Sequence, residues 1–440
     1  MKPHLVLCAP ILLLTTGAPA AEMIDLNPTD QSTFVERYDT QATLYPIPDY
    51  DGDLLDRSTV VGGWAGYRTA LAKNAGIQVV ADVTQFYQGV VSGGIAEEGS
   101  YNGTADYHIR FDSGQAGLWP GGFIDVHAET YWGRGVNTVT GALLPVNIDP
   151  ALAAPAGEGT YLSHVIFTQF LSEKFALTFG KLDTTIGDDN AFAHGVGDRR
   201  FQNLAFSFNP VTVLLAPYST LGIGGIYLLG GESMINAMIF DGDGQIDRAG
   251  FDTVFEGNTT ITANIKLGSN FFDSPGHHWL GFLYGNGTYN AQNQNPRIFF
   301  PGNDAMPTTE GNSWAIFYNF DQYLVSDPDN PEVGWGLFGR FGIADQETNI
   351  IHTFYSLGVG GQGIIPGRDR DRFGIGWYYM NLSDERLALF TEDKETGLEI
   401  FYNASLTPWL ELSADYQFID GALRFGDNAH VLGLRGRIIF

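Results

Sequence analysis

The sequence predicts an all-β protein, a transmembrane antiparallel β-barrel of about 16 strands with a short N-terminal helix. Three observations predict it. Segments of roughly ten residues alternate apolar and polar side chains with period two, close to the length a tilted strand needs to cross a bilayer. The connections between these segments alternate short and long. Glycine (56 residues) and aromatics (13%) are both abundant while mean hydropathy sits near zero, as in a chain whose apolar and polar faces cancel.

The elements follow in order. Residues 1–20 read as a secretory signal: Met1 and Lys2 give a basic start, Leu5 to Leu14 an apolar run, and Ala18-Pro19-Ala20 a small-x-small cleavage site. The mature chain is expected to begin at Ala21. Cys8, the only cysteine, leaves with the signal, so no disulfide is expected. With Lys2 gone, 22 basic residues face 50 acidic ones, a net charge of −28 that argues against nucleic acid as a partner. No later stretch reaches the ~18 consecutive apolar residues of a membrane helix.

Residues 21–57 form a polar, proline-bearing leader, and 58–440 the barrel, opening with a helix over 58–75. Asp56 or Ser58 caps that helix, Trp64, Arg68 and Leu71 lie along one side, and Asn74 and Gly76 stop it. Strands are expected near 77–90, 101–112, 119–132, 160–171, 174–182, 222–230, 234–241, 257–268, 277–289, 311–325, 334–345, 352–360, 371–382, 395–406, 409–419 and 429–440. In "FIDVHAETYW", Asp125, His127, Glu129 and Tyr131 share one face, and Ile124, Val126, Ala128 and Trp132 the other.

Long connections, 133–159 and 183–221 above all, fall on one rim and short turns on the other. Two connections break that rhythm, a short 346–351 and a longer 361–370, which leaves the count open by one hairpin. A barrel of this size is expected to be too wide for its own side chains to fill, so polar faces point into water and apolar ones into lipid. The closing segment "HVLGLRGRIIF" pairs with the first strand, with Phe440 at the membrane interface.

The residues then resemble a known family, the carbohydrate-selective porins (OprB type) of Gram-negative outer membranes. The motifs are "GYRTALAKNAGI", "SGG", "YWGRGVN", "FGKLD", "RFQNLAF", "WGLFGRFG", "GVGGQGIIPGRDRDRFGIGWYY", "LTPWLEL" and "GLRGRIIF", in order from about Trp64 to Phe440. The resemblance implies a sixteen-stranded barrel that passes small carbohydrates into the periplasm, without catalysis. Its C-terminal aromatic resembles an insertion signal read by the barrel-assembly machinery. Outer-membrane lipid and lipopolysaccharide would surround it, and a homo-oligomer is open.

No cofactor is required on this reading. "GVGGQG" at 358–363 has the spacing of a dinucleotide motif, but "IIPGRDRD" follows it where a helix should open. In "DGDGQID", Asp241, Asp243 and Asp247 around Gly244 resemble the opening of a Ca2+ loop on the extracellular side, against the plainer reading of a solvated turn. The histidines offer no metal set: His277 and His278 point to opposite faces, and His127 with Glu129 lacks a Cys-x-x-Cys partner. G-x-S-x-G is absent.

The longest loop, with Asp183, Asp188, Asp189, Asn190, Arg199 and Arg200, is expected to constrict the channel. A selective ring is expected from Asp82, Asp106, Asp125, Glu129, Arg340, Glu399, Asp415 and Arg435 at mid-barrel, with Tyr131 and Tyr378 facing the lumen. Donor guanidinium and acceptor carboxylate groups together exchange water for sugar hydroxyls at little net cost. Three functions compete: a sugar-selective channel, a general or cation-preferring porin suggested by the charge of −28, and an outer-membrane enzyme or adhesin.

Overall fold

A computed structural model describes residues 54–63, 67–153, 156–187, 189–252, 254–299 and 305–440. The signal, nearly all of the leader, and Trp64 and Asp188 lie outside these residues. After helix α1 (Tyr67–Ala75) come sixteen strands: β1 (Ile77–Gly94), β2 (Gly99–Asp112), β3 (Gly122–Gly133), β4 (Gly159–Phe170), β5 (Phe175–Asp183), β6 (Ser219–Gly230), β7 (Ser233–Asp241) and β8 (Thr259–Phe271) make one half. The other half is β9 (Ser274–Asn290), β10 (Thr309–Ser326), β11 (Gly334–Ala344), β12 (Ile351–Gln362), β13 (Arg372–Leu382), β14 (Lys394–Thr407), β15 (Leu410–Asp420) and β16 (Asp427–Ile439).

Each strand pairs antiparallel with its sequence neighbours, and β1 closes on β16 through pairs such as Asp82 with Ile439 and Tyr87 with Leu434. Closure leaves no strand edge, the condition for a sheet in hydrocarbon. The two irregular connections resolve without changing the count. Residues 345–350 make a short loop on the long-loop rim, and 363–371 a longer turn on the other.

Alternation sorts the faces as the sequence implies. Ile109, Phe179, Ile223, Leu280, Trp377 and Leu434 are exposed on the outside, whereas Asp82, Asp125, Glu129, Arg340 and Glu399 are buried on the inside.

Two expectations need correcting. The described helix begins only at Tyr67, and 54–63 are turns. Gly62 adopts a positive φ of 67° and accepts a hydrogen bond from Thr59 Oγ1 on its carbonyl, geometry a helix cannot include. Arg68 sits at the barrel seam, donating to Val79 O at 2.7 Å and Phe440 O at 3.2 Å. Gly76 then ends the helix at φ 63°, where a Cβ would lie 2.2 Å from Asp112 O.

The second correction concerns the interior. It is not a simple water-filled bore, because the described residues of segments 134–158 and 184–218 fold into it. Phe192, Phe201, Phe206 and Val211 from the longer segment join Phe338, Phe354, Tyr378 and Phe401 of the wall in a buried apolar cluster. The barrel is too wide for its own side chains, and inserted chain makes up the difference.

Candidate channel and its constriction

The long segment between β5 and β6 starts with a tight neck. Thr184 N donates to Tyr218 O at 2.9 Å and Thr184 Oγ1 to Pro217 O at 2.8 Å, so its two ends are adjacent, as in an Ω-loop. Asp183 Oδ1 caps the turn by accepting from Thr185 N and Oγ1 at 2.8 and 2.6 Å. The chain then crosses the lumen. Asn190 Nδ2 donates to Phe320 O at 2.8 Å, and its Oδ1 accepts from Phe192 N and Ala193 N.

On the far wall, charged side chains hold the loop backbone. Arg340 donates to Ala193 O and to Ser207 O, and Arg435 to Gly197 O at 2.5 Å and Arg200 O at 2.8 Å. Glu399 accepts from Gln202 N at 2.6 Å and Asn203 N at 2.9 Å. Arg199 grips Glu411 with two hydrogen bonds, 2.9 and 2.6 Å. Burial pushes the Arg199 guanidinium well below its usual range, with Glu411 opposing, and pushes Arg200 down to about 10.

Inward glycines seat the loop aromatics. A Cβ on Gly360 would meet Phe192 Cβ at 2.6 Å, one on Gly374 would meet Phe201 Cζ at 2.5 Å, and one on Gly376 would meet Phe206 Cε1 at 2.6 Å. The glycine-rich motifs of β12 and β13 are therefore sockets.

The shorter inserted segment carries helix α2 (Ile148–Leu152), capped by Asn147. Asp149 on it meets Asn102 Nδ2 at 2.9 Å and the Thr104 hydroxyl, and burial holds its carboxyl well above the usual range. Glu395 accepts from Leu143 N, Leu144 N and the Tyr378 hydroxyl. The two segments also bond each other, through Ile148 N to Gln202 O and Leu204 N to Pro145 O.

Along β7–β10 they leave two cavities, one toward each rim, with a polar neck between them. The outer cavity, about 620 Å³, lies between Asp183, Asn236, Asn264, Trp279 and Asn319 on the wall and Leu204 and Pro210 on the inserted chain. The cavity toward the short-turn rim, about 740 Å³, is lined by Glu232, Lys266, His277, Tyr323 and Arg372 with Asp189, Phe192, His194 and Arg200. Asn264 and Lys266 of β8 face different cavities, so the neck runs between their levels.

Lys266 Nζ lies 2.5 Å from Asp189 Oδ2 across the neck. His277 Nδ1 lies 2.8 Å from Asp321 Oδ1 with its Nε2 on Glu232, and Asn264 Nδ2 donates to Asn236 Oδ1 at 2.7 Å. His194 is half-buried beside this cavity. Burial, then the charges of Arg200, Arg340, Arg372 and Lys266, pushes its imidazole well below its usual range.

The sequence-predicted ring residues all face inward, yet none lines either cavity. Asp82 pairs with Arg437 at 2.8 Å, and Asp106 meets His127. Glu129 accepts from the Tyr131 and Tyr218 hydroxyls, and Asp415 from Gln417 Nε2. Asp125 is fully buried, Tyr378 donates to Glu395 and packs on Phe206, and Arg340, Glu399 and Arg435 hold inserted chain. Of the loop residues, Asp189 and Arg200 line the lower cavity and Asp183 the outer one, while Arg199 and Asn190 are anchors.

The sequence reading did not single out Lys266, Trp279, Asn264, Asn236 and Asn319, and it weighed His277 only as a metal ligand. Their signal was present: in "TTITANIKLGSNF" the face Thr260, Thr262, Asn264, Lys266 is polar and Ile261, Ile265, Leu267 apolar. The "DGDGQID" carboxylates serve a loop closure: Asp243 accepts from Asn258 N at 2.6 Å and Nδ2 at 2.8 Å, and Asp241 from Asp243 N. Asp241, Asp243 and Asp247 do not converge as a three-ligand set among the described residues.

Comparison with known proteins places this architecture. The model of a family described as carbohydrate-selective porin, OprB family, matches residues 96–440. Porin B of Pseudomonas aeruginosa is 24% identical over 191 residues, a match covering 38% of this chain and 41% of that relative. In fold, the chain is similar to the high-pH structure of Pseudomonas putida OprB, with a TM-score of 0.74 at 17% identity, over 87% of this chain and 98% of that one. The low-pH structure of the same protein aligns with a TM-score of 0.55 at 13% identity, over 88% and 99%.

Proposed function

Because this chain belongs to the carbohydrate-selective porin, OprB family, we propose that it lets small sugars diffuse passively and selectively through the outer membrane into the periplasm. It is a β-barrel of the Gram-negative outer membrane, and its family and fold are those of channels rather than enzymes. The observation that carries the proposal is the pair of cavities on either side of a polar neck on the β7–β10 wall.

A sugar is uncharged but presents many hydroxyls, each both donor and acceptor. The neck matches this with amides at Asn236, Asn264 and Asn319, an ammonium at Lys266 and a carboxylate at Asp189, beside the Trp279 indole. Such groups replace water around hydroxyls at low net cost, and binding stays weak enough for release. A general, cation-preferring porin is the second reading, favoured by the acidic composition.

Planar-bilayer conductance with and without added sugars tests both. Concentration-dependent block of current by monosaccharides is expected. Conductance indifferent to sugar would favour the second reading, and no conductance at all would overturn both.

A further inference from the structure

Three histidines lie in register across neighbouring strands: His108 of β2 opposite His127 of β3, and His127 opposite His164 of β4. The rings of His108 and His127 stack with centroids 4.0 Å apart and planes 21° apart. Asp106 precedes His108 by two residues and so shares its face, and its Oδ1 lies 3.0 Å from His127 Nε2. One ligand atom from each of Asp106, His108 and His127 falls within 4.8 Å of the other two. Among the described residues no other group of this kind occurs, and all three are buried.

We propose that Asp106, His108 and His127 bind a divalent transition-metal ion of the Zn2+ type on the inner wall of the barrel. Zinc bonds of about 2.0–2.1 Å at tetrahedral angles place ligand atoms roughly 3.3 Å apart. The ion therefore binds once the two imidazoles turn out of their stack and bring both ring planes onto it, closing atoms already within 4.8 Å. Two imidazoles with one carboxylate are a borderline donor set that suits zinc, nickel or copper better than calcium or magnesium. The surroundings favour the same ligand geometry. Ser163 Oγ lies 3.3 Å from His127 Nδ1, which leaves Nε2 as the coordinating atom.

Local charge gives the site its rationale. Glu129 Oε1 lies 4.0 Å from His127 Nε2, and the polar partners of Glu129 are the Tyr131 and Tyr218 hydroxyls. Asp183, whose backbone N–H donates to His164 Nδ1, has its carboxylate on Thr185. Asp106, Glu129 and Asp183 thus crowd a buried wall with no lysine or arginine ion pair to any of them among the described residues. Buried carboxylates of one sign are costly unless a cation compensates them, and a divalent ion is the largest local charge that fits. Two strands would be cross-linked beneath the Thr104 and Asn102 contacts that hold α2.

The experiment uses the full-length, untagged protein in detergent, stripped with a chelator and then offered zinc. The expected result is one tightly held zinc per chain by elemental analysis after gel filtration, with a raised melting temperature. His127→Gln should weaken retention by more than about 10-fold and abolish the thermal shift. Should that variant fail to assemble, His108→Gln removes a different ligand and has the same expected outcome. Less than half an equivalent of zinc in the wild type, or equal zinc in wild type and variant, would overturn the site.

Discussion

The inner wall of this barrel has two unlike sectors. From β11 through β16 it is crowded with charge and glycine, and Arg340, Glu395, Glu399, Glu411 and Arg435 are all spent on inserted chain. Along β7–β10 the wall carries amides, one lysine, one indole and the His277–Asp321 pair. It touches the inserted chain at isolated points, Lys266 with Asp189, Asn319 with Asn209 and Phe320 O with Asn190, with the two cavities around them. The anchoring sector is rich in the features that suggest a binding site in a sequence: Arg340, Glu399, Asp415 and Arg435 at mid-height, and tyrosine at 378. What distinguishes the sectors is whether the opposing surface is backbone or water. A guanidinium that meets loop carbonyls is an anchor, and only groups facing the neck can meet a solute.

The largest effect expected is loss of that anchoring. Replacing Arg340 and Arg435 together by alanine removes hydrogen bonds to four loop carbonyls, each worth roughly 1.5–3 kcal/mol for a charged donor. The loop should leave the wall and merge the two cavities. Single-channel conductance should then rise at least about two-fold, because the constriction sets the resistance of a pore. Unchanged conductance with unchanged sugar block would mean that the aromatic sockets alone hold the loop.

Gly376→Leu tests those sockets. A Cβ there already meets Phe206 Cε1 at 2.6 Å, so the larger side chain overpacks a full core, at a cost of about 1–3 kcal/mol. A noisier, wider channel is expected, with the barrel still folded by circular dichroism. Gly376→Ala should show the same change in weaker form. A quiet, wild-type trace for the leucine variant would break the contrast between sectors.

Much of this was legible in the sequence. Period-two alternation carried all sixteen strands because lipid outside and polar surface inside impose it on every strand, β1 and β16 included. That the 184–218 connection is the longest of the chain was legible, and length singled it out. How it docks was not legible, since "RFQNLAF" sends Phe201 and Phe206 into the barrel while its backbone amides bond the wall. Glycines of "RFGIGWYY" gave no hint of a socket, because a hole in one strand is defined by a side chain some 170 residues away. The His108–His127 pair was invisible for the same reason: strand register, not spacing along the chain, brings the rings together.

On the conducting wall, Lys266 and Asp189 should control ion preference. Lys266→Met leaves the Asp189 carboxylate at the neck and shifts the reversal potential in a salt gradient toward cations. Asp189→Asn shifts it toward anions. Both follow from one unscreened charge in a narrow pore, and both fade as salt shortens the Debye length to about 3 Å at 1 M. No shift in either variant would place the neck elsewhere.

The smallest effect expected is a pH dependence that belongs to the loop and not to the conducting wall. His194 has its imidazole pushed well below its usual range by burial and by Arg200, Arg340, Arg372 and Lys266. A docked loop therefore keeps His194 neutral, whereas a detached one protonates it at the ordinary value of about 6.5. Below that pH the detached state takes up a proton that the docked state refuses, so docking weakens as pH falls. Above it both states are neutral and the term vanishes. Lowering pH from 7.5 to about 5 should thus lengthen the excursions to a wider conductance state. His194→Asn, which cannot titrate, should flatten that part of the profile. An identical pH profile in the variant would assign the response to the conducting wall, where His277 stands between Glu232 and Asp321.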